Sequence, residues 1–182
     1  MNRNGFRFIL LTFGLSGLLG SCLKELELKP KLPPITCGAE RSTFGCYVDE
    51  NIFLPQGFNA LVGEYNFKES SAKGTFGINA YRNTRNEAVR IYLKNQVFDT
   101  GYYKLGFDGF NNGSVRYYNR NYPDPGVSYY CKEGMFGELH ISQIDTVNRI
   151  VCGTFSFDAV SEQNNQDTVK IREGRFDTEF FY

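Results

Sequence analysis

The sequence predicts an all-β fold, and three observations carry that reading. Its 182 residues hold 29 aromatics, 12 Tyr and 17 Phe, against six Ala, a balance that disfavours helices and suits pleated, half-buried strands. Beyond residue 22, short runs alternate apolar and polar residues with period two, and Gly, Asn, Asp and Pro punctuate them. No stretch beyond that point carries a convincing helical period. About nine to eleven strands at this spacing make an antiparallel meander. Because a single flat sheet would leave an apolar face in water, the meander is expected to form a two-sheet β-sandwich, with a closed or partly open β-barrel as the alternative.

Taken in order, residues 1–21 read as a secretory signal. Arg3 and Arg7 precede an uncharged apolar run from Phe8 to Leu19, shorter than the roughly twenty residues a spanning helix needs. The run closes on Leu19, Gly20, Ser21 and Cys22, which resembles the bacterial lipoprotein box. That resemblance implies cleavage before Cys22, diacylation of its thiol and acylation of the new amine. Each buried methylene adds about 0.8 kcal/mol, so three chains hold a protein on a bilayer far better than one. Removing Arg3 and Arg7, with no acids, shifts the formal charge from zero to −2. Leu23 stands where inner-membrane retention would place Asp, so a lipid-anchored outer-membrane location is expected. Lys24, Glu25 and Glu27 loosely resemble a surface-export tag, and the reading leaves the leaflet open between periplasm and surface.

Residues 22–41 read as a tether, with Pro30, Pro33 and Pro34 stiffening its second half. Residues 42–182 read as one all-β domain. Within it, Phe76, Ile78 and Ala80 share one face of Thr75–Tyr81, and Val89, Ile91 and Leu93 share one face of Ala88–Lys94. Leu139 and Ile141, a turn at Asp145–Asn148, and a return through Phe155 and Phe157 predict a hairpin. Val169 and Ile171 begin a penultimate strand, while Phe176, Thr178, Phe180 and Tyr182 mark the last. Turns are expected at Asp108–Gly113, Tyr122–Gly126 and Gln163–Asp167.

Two stretches resemble a family of uncharacterised Bacteroidota lipoproteins. One is Leu32, Pro33, Pro34, then Thr43 to Asp49, then Phe53, Leu54, Pro55. The other is Gly137 to Ile141, Asp145, Cys152 to Asp158 and Gly174 to Asp177. The resemblance covers both ends and hardly touches residues 60–135. It implies an envelope location and an all-β fold, and supplies no catalytic residue. The family usually carries a small hydroxyl residue at the position of Cys152, so a disulfide through Cys152 would be particular to this chain.

With Cys22 lipidated, Cys37, Cys46, Cys131 and Cys152 remain, and outside the inner membrane an even set suggests disulfides. Three connectivities are open; Cys37 with Cys46 would close a short loop and leave Cys131 to Cys152. One His and the absence of two-residue Cys spacing argue against a metal site, and no cofactor is implied. Balanced charge argues against nucleic acid. His140 sits on a polar strand face, and no Ser lies in a nucleophile elbow. Asp158 and Asp177 are the weak catalytic candidates, since two carboxylates can hydrolyse a glycosidic bond without His. Asp108 to Gly113 offers oxygen ligands but no closing Glu, so it reads as a plain turn.

Seven tyrosines fall between residues 102 and 130. The adjacent pairs Tyr102 and Tyr103, Tyr117 and Tyr118, and Tyr129 and Tyr130 each place one ring inward and one outward. If the outward rings lie side by side, they and Arg116 and Arg120 form an amphipathic surface suited to an envelope protein or a glycan. The expected function is a non-catalytic binding or structural envelope module anchored through its N-terminal lipid. The alternative is a small carboxylate-dependent glycan hydrolase.

Overall fold

The computed structural model describes residues 31–38, 42–68, 73–106, 113–120 and 126–181. Cys22, the signal segment and most of the turns expected at 108–113 and 122–126 lie outside them. The described chain is all-β and has eleven strands: β1 (Thr43–Val48), β2 (Asn51–Phe53), β3 (Leu61–Lys68), β4 (Lys73–Arg82), β5 (Glu87–Gln96), β6 (Gly101–Lys104), β7 (Ser114–Asn119), β8 (Val127–Tyr130), β9 (Gly137–Asp145), β10 (Ile150–Ser161) and β11 (Thr168–Phe181). A single 3₁₀ turn, Asn83–Arg85, joins β4 to β5, and Asn86 closes it in the left-handed conformation that Asn tolerates.

The strands hydrogen-bond as one sheet in the order β2-β1-β11-β3-β4-β5-β7-β8-β10-β9-β6, and β10 also pairs with β11. That last pairing links the run from β11 through β8 back onto itself. The meander is antiparallel with one exception. At the end of β11, Phe180 and Phe181 lie parallel to Gly63 and Glu64 of β3, which makes the sheet mixed. A purely antiparallel meander would need β11 to reverse before it reached β3. Its length lets it pair with β10 and β1 first and with β3 only at its tip.

The inward faces match the alternation in the sequence. Phe76, Ile78 and Ala80 on β4 and Val89, Ile91 and Leu93 on β5 are all buried. They pack with Phe44, Phe53, Phe155, Phe157, Phe176 and Phe180 in one apolar core. Removing each of these Val, Leu, Ile and Phe side chains from water stabilises the fold by about 1.5–3 kcal/mol.

The penultimate and last strands are one element. Inward residues shift from odd positions, Val169 and Ile171, to even ones, Phe176, Thr178 and Phe180, so one extra residue must intervene. Opposite Phe155 and Phe157 the register jumps from Gly174 to Ile171, and Glu173 takes a positive φ of 50° there. A β-bulge therefore changes the buried parity without breaking the strand. The bulge also shifts the register on the other side, where Gly45 and Tyr47 of β1 face Arg175 and Arg172.

Residues 31–38, within the segment read as tether, lie against the domain. A Cβ on Gly45 would come within 2.9 Å of Pro33 Cδ and 3.1 Å of Leu32 Cδ2, so glycine is what lets this segment pack over β1. A disulfide joins Cys37 to Cys152, with an S–S distance of 2.01 Å and a Cα separation of 5.4 Å. Cys46 and Cys131 are buried free thiols. Of the pairings the sequence left open, the structure forms the long-range Cys37–Cys152 link and leaves the other two thiols unpaired. A Cys37–Cys46 bridge would have closed a short loop, but β1 carries Cys46 into the core.

Candidate functional site

The paired tyrosines divide by the pleat as expected, but they do not form one surface. Tyr117 and Tyr129 face each other across β7 and β8, are buried, and have ring centroids 5.8 Å apart. Burial, reinforced by the charge of Glu87, pushes the Tyr117 phenol far up. Tyr129 donates to Asp167 Oδ2 at 2.9 Å. Tyr103 packs against the core and its hydroxyl donates to the Asp99 carbonyl at 2.6 Å. Tyr102 is 71% exposed on β6, where it stacks on His140 of β9 with centroids 4.2 Å apart. Two strands, β9 and β10, separate β6 from β8 in the sheet order, so Tyr102 belongs to a different part of the surface from Tyr118 and Tyr130. Arg120 is exposed beyond the end of β7, where its amide donates to the Asn86 carbonyl.

What does assemble is an outward strip on β4, β5, β7 and β8. Because Val89, Ile91 and Leu93 point inward, Arg90, Tyr92 and Lys94 point outward. Arg90 lies opposite Arg116, and Arg116 lies opposite Tyr130. The Arg90 guanidinium sits between two rings, 4.8 Å from the centroid of Tyr118 and 5.5 Å from that of Tyr81. Tyr92 lies over Gly77, where a Cβ would approach its ring to 2.8 Å, and its hydroxyl donates to Asn79 Oδ1 at 2.6 Å. Burial holds the Tyr92 phenol above its ordinary range, although that hydrogen bond opposes the shift. A groove of about 220 Å³ runs between these side chains, lined among others by Arg90, Lys94, Arg116, Tyr118 and Tyr130. Among the described residues, three cations and no carboxylate line it. Arg116 reaches Glu162 at 3.0 Å, but both side chains are about 40% exposed and such a pair holds weakly. Sequence reasoning found Arg116, Tyr118 and Tyr130 and missed Arg90, Tyr92 and Lys94, although the alternation around Val89 already assigned them to the outer face.

A second cavity, of about 390 Å³, lies near the β1–β2 and β4–β5 turns, with Arg82 and Glu87 among its lining residues. Arg82 pairs with Glu87 at 3.0 Å, donates to the Ile52 carbonyl at 2.6 Å and lies over the Phe53 ring. Both partners are nearly buried, so the pair braces the fold at this point.

The two carboxylate candidates do not meet. Asp158 lies opposite Lys170 and Asp177 opposite Cys152, six residues apart along β10, or about 20 Å at a strand's rise per residue. Glycosidase carboxylates sit roughly 5–9.5 Å apart. Asp158 is held in an ion pair with Arg172. Asp177, set between Phe176 and Thr178, is 2% exposed, because residues 36–38 cover it. It accepts from Thr36 Oγ1 at 3.1 Å and from the Gly38 amide at 3.2 Å.

An all-β domain with a cationic, tyrosine-flanked groove on its outer face is the class of protein that these features define. The chain belongs to the family described as a domain of unknown function, DUF6252, which it matches over residues 57–178. No curated protein and no solved structure matches it.

Proposed function

We propose that this protein is an envelope lipoprotein, held on the outer membrane through acylated Cys22, whose β-domain is a non-catalytic binding module. The resemblance of Leu19–Cys22 to a lipobox supports the anchor, and the resemblance of both chain ends to uncharacterised Bacteroidota lipoproteins supports the lineage. One observation carries the binding reading: Arg90, Arg116, Tyr118 and Tyr130 converge on one groove. Two arginines directly across a ladder repel each other. A surface that keeps them together beside aromatic rings is suited to gaining a partner.

The anchor is tested by labelling growing cells with a palmitate analogue. Wild type should take up label, and Cys22→Ala should accumulate as an unlabelled precursor; label on Cys22→Ala would end the lipoprotein reading. Protease shaving of whole cells then assigns the leaflet. The binding reading is tested by capture from the native envelope with the intact lipoprotein. Tyr118→Ala with Tyr130→Ala should abolish capture while the melting curve stays in place. Undiminished capture would exclude this face.

A further inference from the structure

We infer that the β5–β7–β8 groove takes an acidic saccharide, with its carboxylate or sulfate seated between Arg90 and Arg116 and its sugar ring against Tyr118 and Tyr130. The inference rests on the binding-module reading and gives that module its ligand class.

Charge comes first. Arg90, Lys94 and Arg116 line the groove, and no carboxylate joins them among the described residues. Among the described acids, Glu162 pairs with Arg116, and Glu64 lies beyond Gly77, two strands from Tyr92. A guanidinium carries five donors in a planar fork, so Arg116 retains donors while one nitrogen serves Glu162. Arg90 is more demanding. Its Nε is buried with no hydrogen-bond partner, and its planar head is met by ring faces on two sides. Those rings hold the fork in place, which reduces the ordering that binding must impose. An oxyanion between the two forks would relieve their repulsion and accept charged hydrogen bonds from both.

Shape selects a saccharide over a protein. A groove of about 220 Å³ suits a small ligand, whereas a stable protein interface covers about 800 Å² on each partner. Such interfaces centre on large apolar anchors. The exposed large apolar side chains among the described residues, such as Phe58, Phe136 and Val147, do not line this groove. Tyrosine rings and hydroxyls do line it, and they offer C–H stacking together with hydroxyl contacts. Tyr presents a smaller face than Trp, so charge must contribute much of the affinity and binding should weaken as salt rises.

The test is calorimetric titration of the soluble mature chain with three probes: a short oligogalacturonate, a neutral galacto-oligosaccharide of equal length, and an oligoglutamate peptide. Oligogalacturonate should bind, and the neutral sugar should bind at least about tenfold more weakly. Arg90→Gln and Arg116→Gln should each weaken oligogalacturonate by about tenfold or more, in keeping with loss of a charged hydrogen bond. Near-UV circular dichroism checks folding; if Arg90→Gln fails to fold, Arg116→Gln and its rescue by Arg116→Lys carry the test. Equal binding of both sugars, unchanged affinity in the arginine variants, or no sugar binding would overturn the inference. Binding of oligoglutamate alone would make the occupant a protein and overturn it as well. In each case the binding-module reading stands or falls separately, on capture by the Tyr118→Ala and Tyr130→Ala variant.

Discussion

Cys152 and Asp177 face each other on one rung of the β10–β11 ladder, and both hold the same segment of chain. The disulfide fixes Cys37 to Cys152, while the Asp177 carboxylate receives Thr36 and the amide of Gly38. The clasp spans 115 residues of sequence. Closing so long a loop restricts the unfolded chain and stabilises the native state by about 2–4 kcal/mol. Replacing Cys37 and Cys152 by Ser should lower urea stability by that amount, and reduction of wild type should reproduce the loss. Coincident denaturation curves for oxidised and reduced protein would refute it.

Asp177→Ala leaves the Thr36 hydroxyl and the Gly38 amide without their acceptor. The expected cost is about 1–3 kcal/mol, and Asp177→Asn, which keeps a carbonyl oxygen, should cost less. Chemical denaturation of the three proteins checks the ranking. A larger loss for Asn than for Ala would contradict the assigned geometry.

Arg82 and Glu87 are 9% and 13% exposed at their side chains, so removing one leaves a charge stranded. Glu87→Leu should destabilise by about 3–5 kcal/mol, whereas Arg82→Met combined with Glu87→Leu should come close to wild type. Agreement between the single and double variants in urea midpoint would rule out this coupling.

The free thiols make a prediction about pH. Burial raises the Cys131 thiol from 9.0 to about 11, with the charge of Asp158 adding to it, and burial raises Cys46 further. In the unfolded chain both ionise near 9, so above that pH the unfolded state holds fewer protons than the folded one. Stability due to the protonated thiols is complete below about pH 9 and declines through pH 11. Cys131→Ala should flatten part of that decline, which denaturation midpoints between pH 8 and pH 11 would measure. Iodoacetamide at pH 8 should label Cys46 and Cys131 only after unfolding. Rapid labelling of native protein would show that these thiols are accessible.

The division of the tyrosines separates binding from folding. Tyr117→Ala removes a buried ring and should cost about 3–5 kcal/mol, by analogy with other buried aromatics. Tyr130→Ala, on the outer strip, should cost much less stability and reduce capture. Differential scanning calorimetry beside the capture assay distinguishes the two, and equal destabilisation would reject the partition.

Period-two alternation around Val89, Leu139 and Phe155 was enough to place their strands and inward faces, because the pleat alone decides which way a side chain points. The same rule implied an outward Arg90. Period cannot tell which strand lies beside which. Val169 and Phe176 looked like two strands because a bulge at Glu173 shifts parity, and only the register opposite Phe155 shows them as one.

Sequence by itself determined the all-β class, the hairpin at Asp145–Asn148 and the division of each tyrosine pair between two faces, all consequences of local chain geometry. Tertiary structure decided that Cys37 reaches Cys152, that Asp158 and Asp177 stay apart, and that Arg90 meets Arg116. Each of those facts depends on which distant strands pair and in what register. The physical reason is that pairing is settled by packing of the whole core, and no local run of residues contains it.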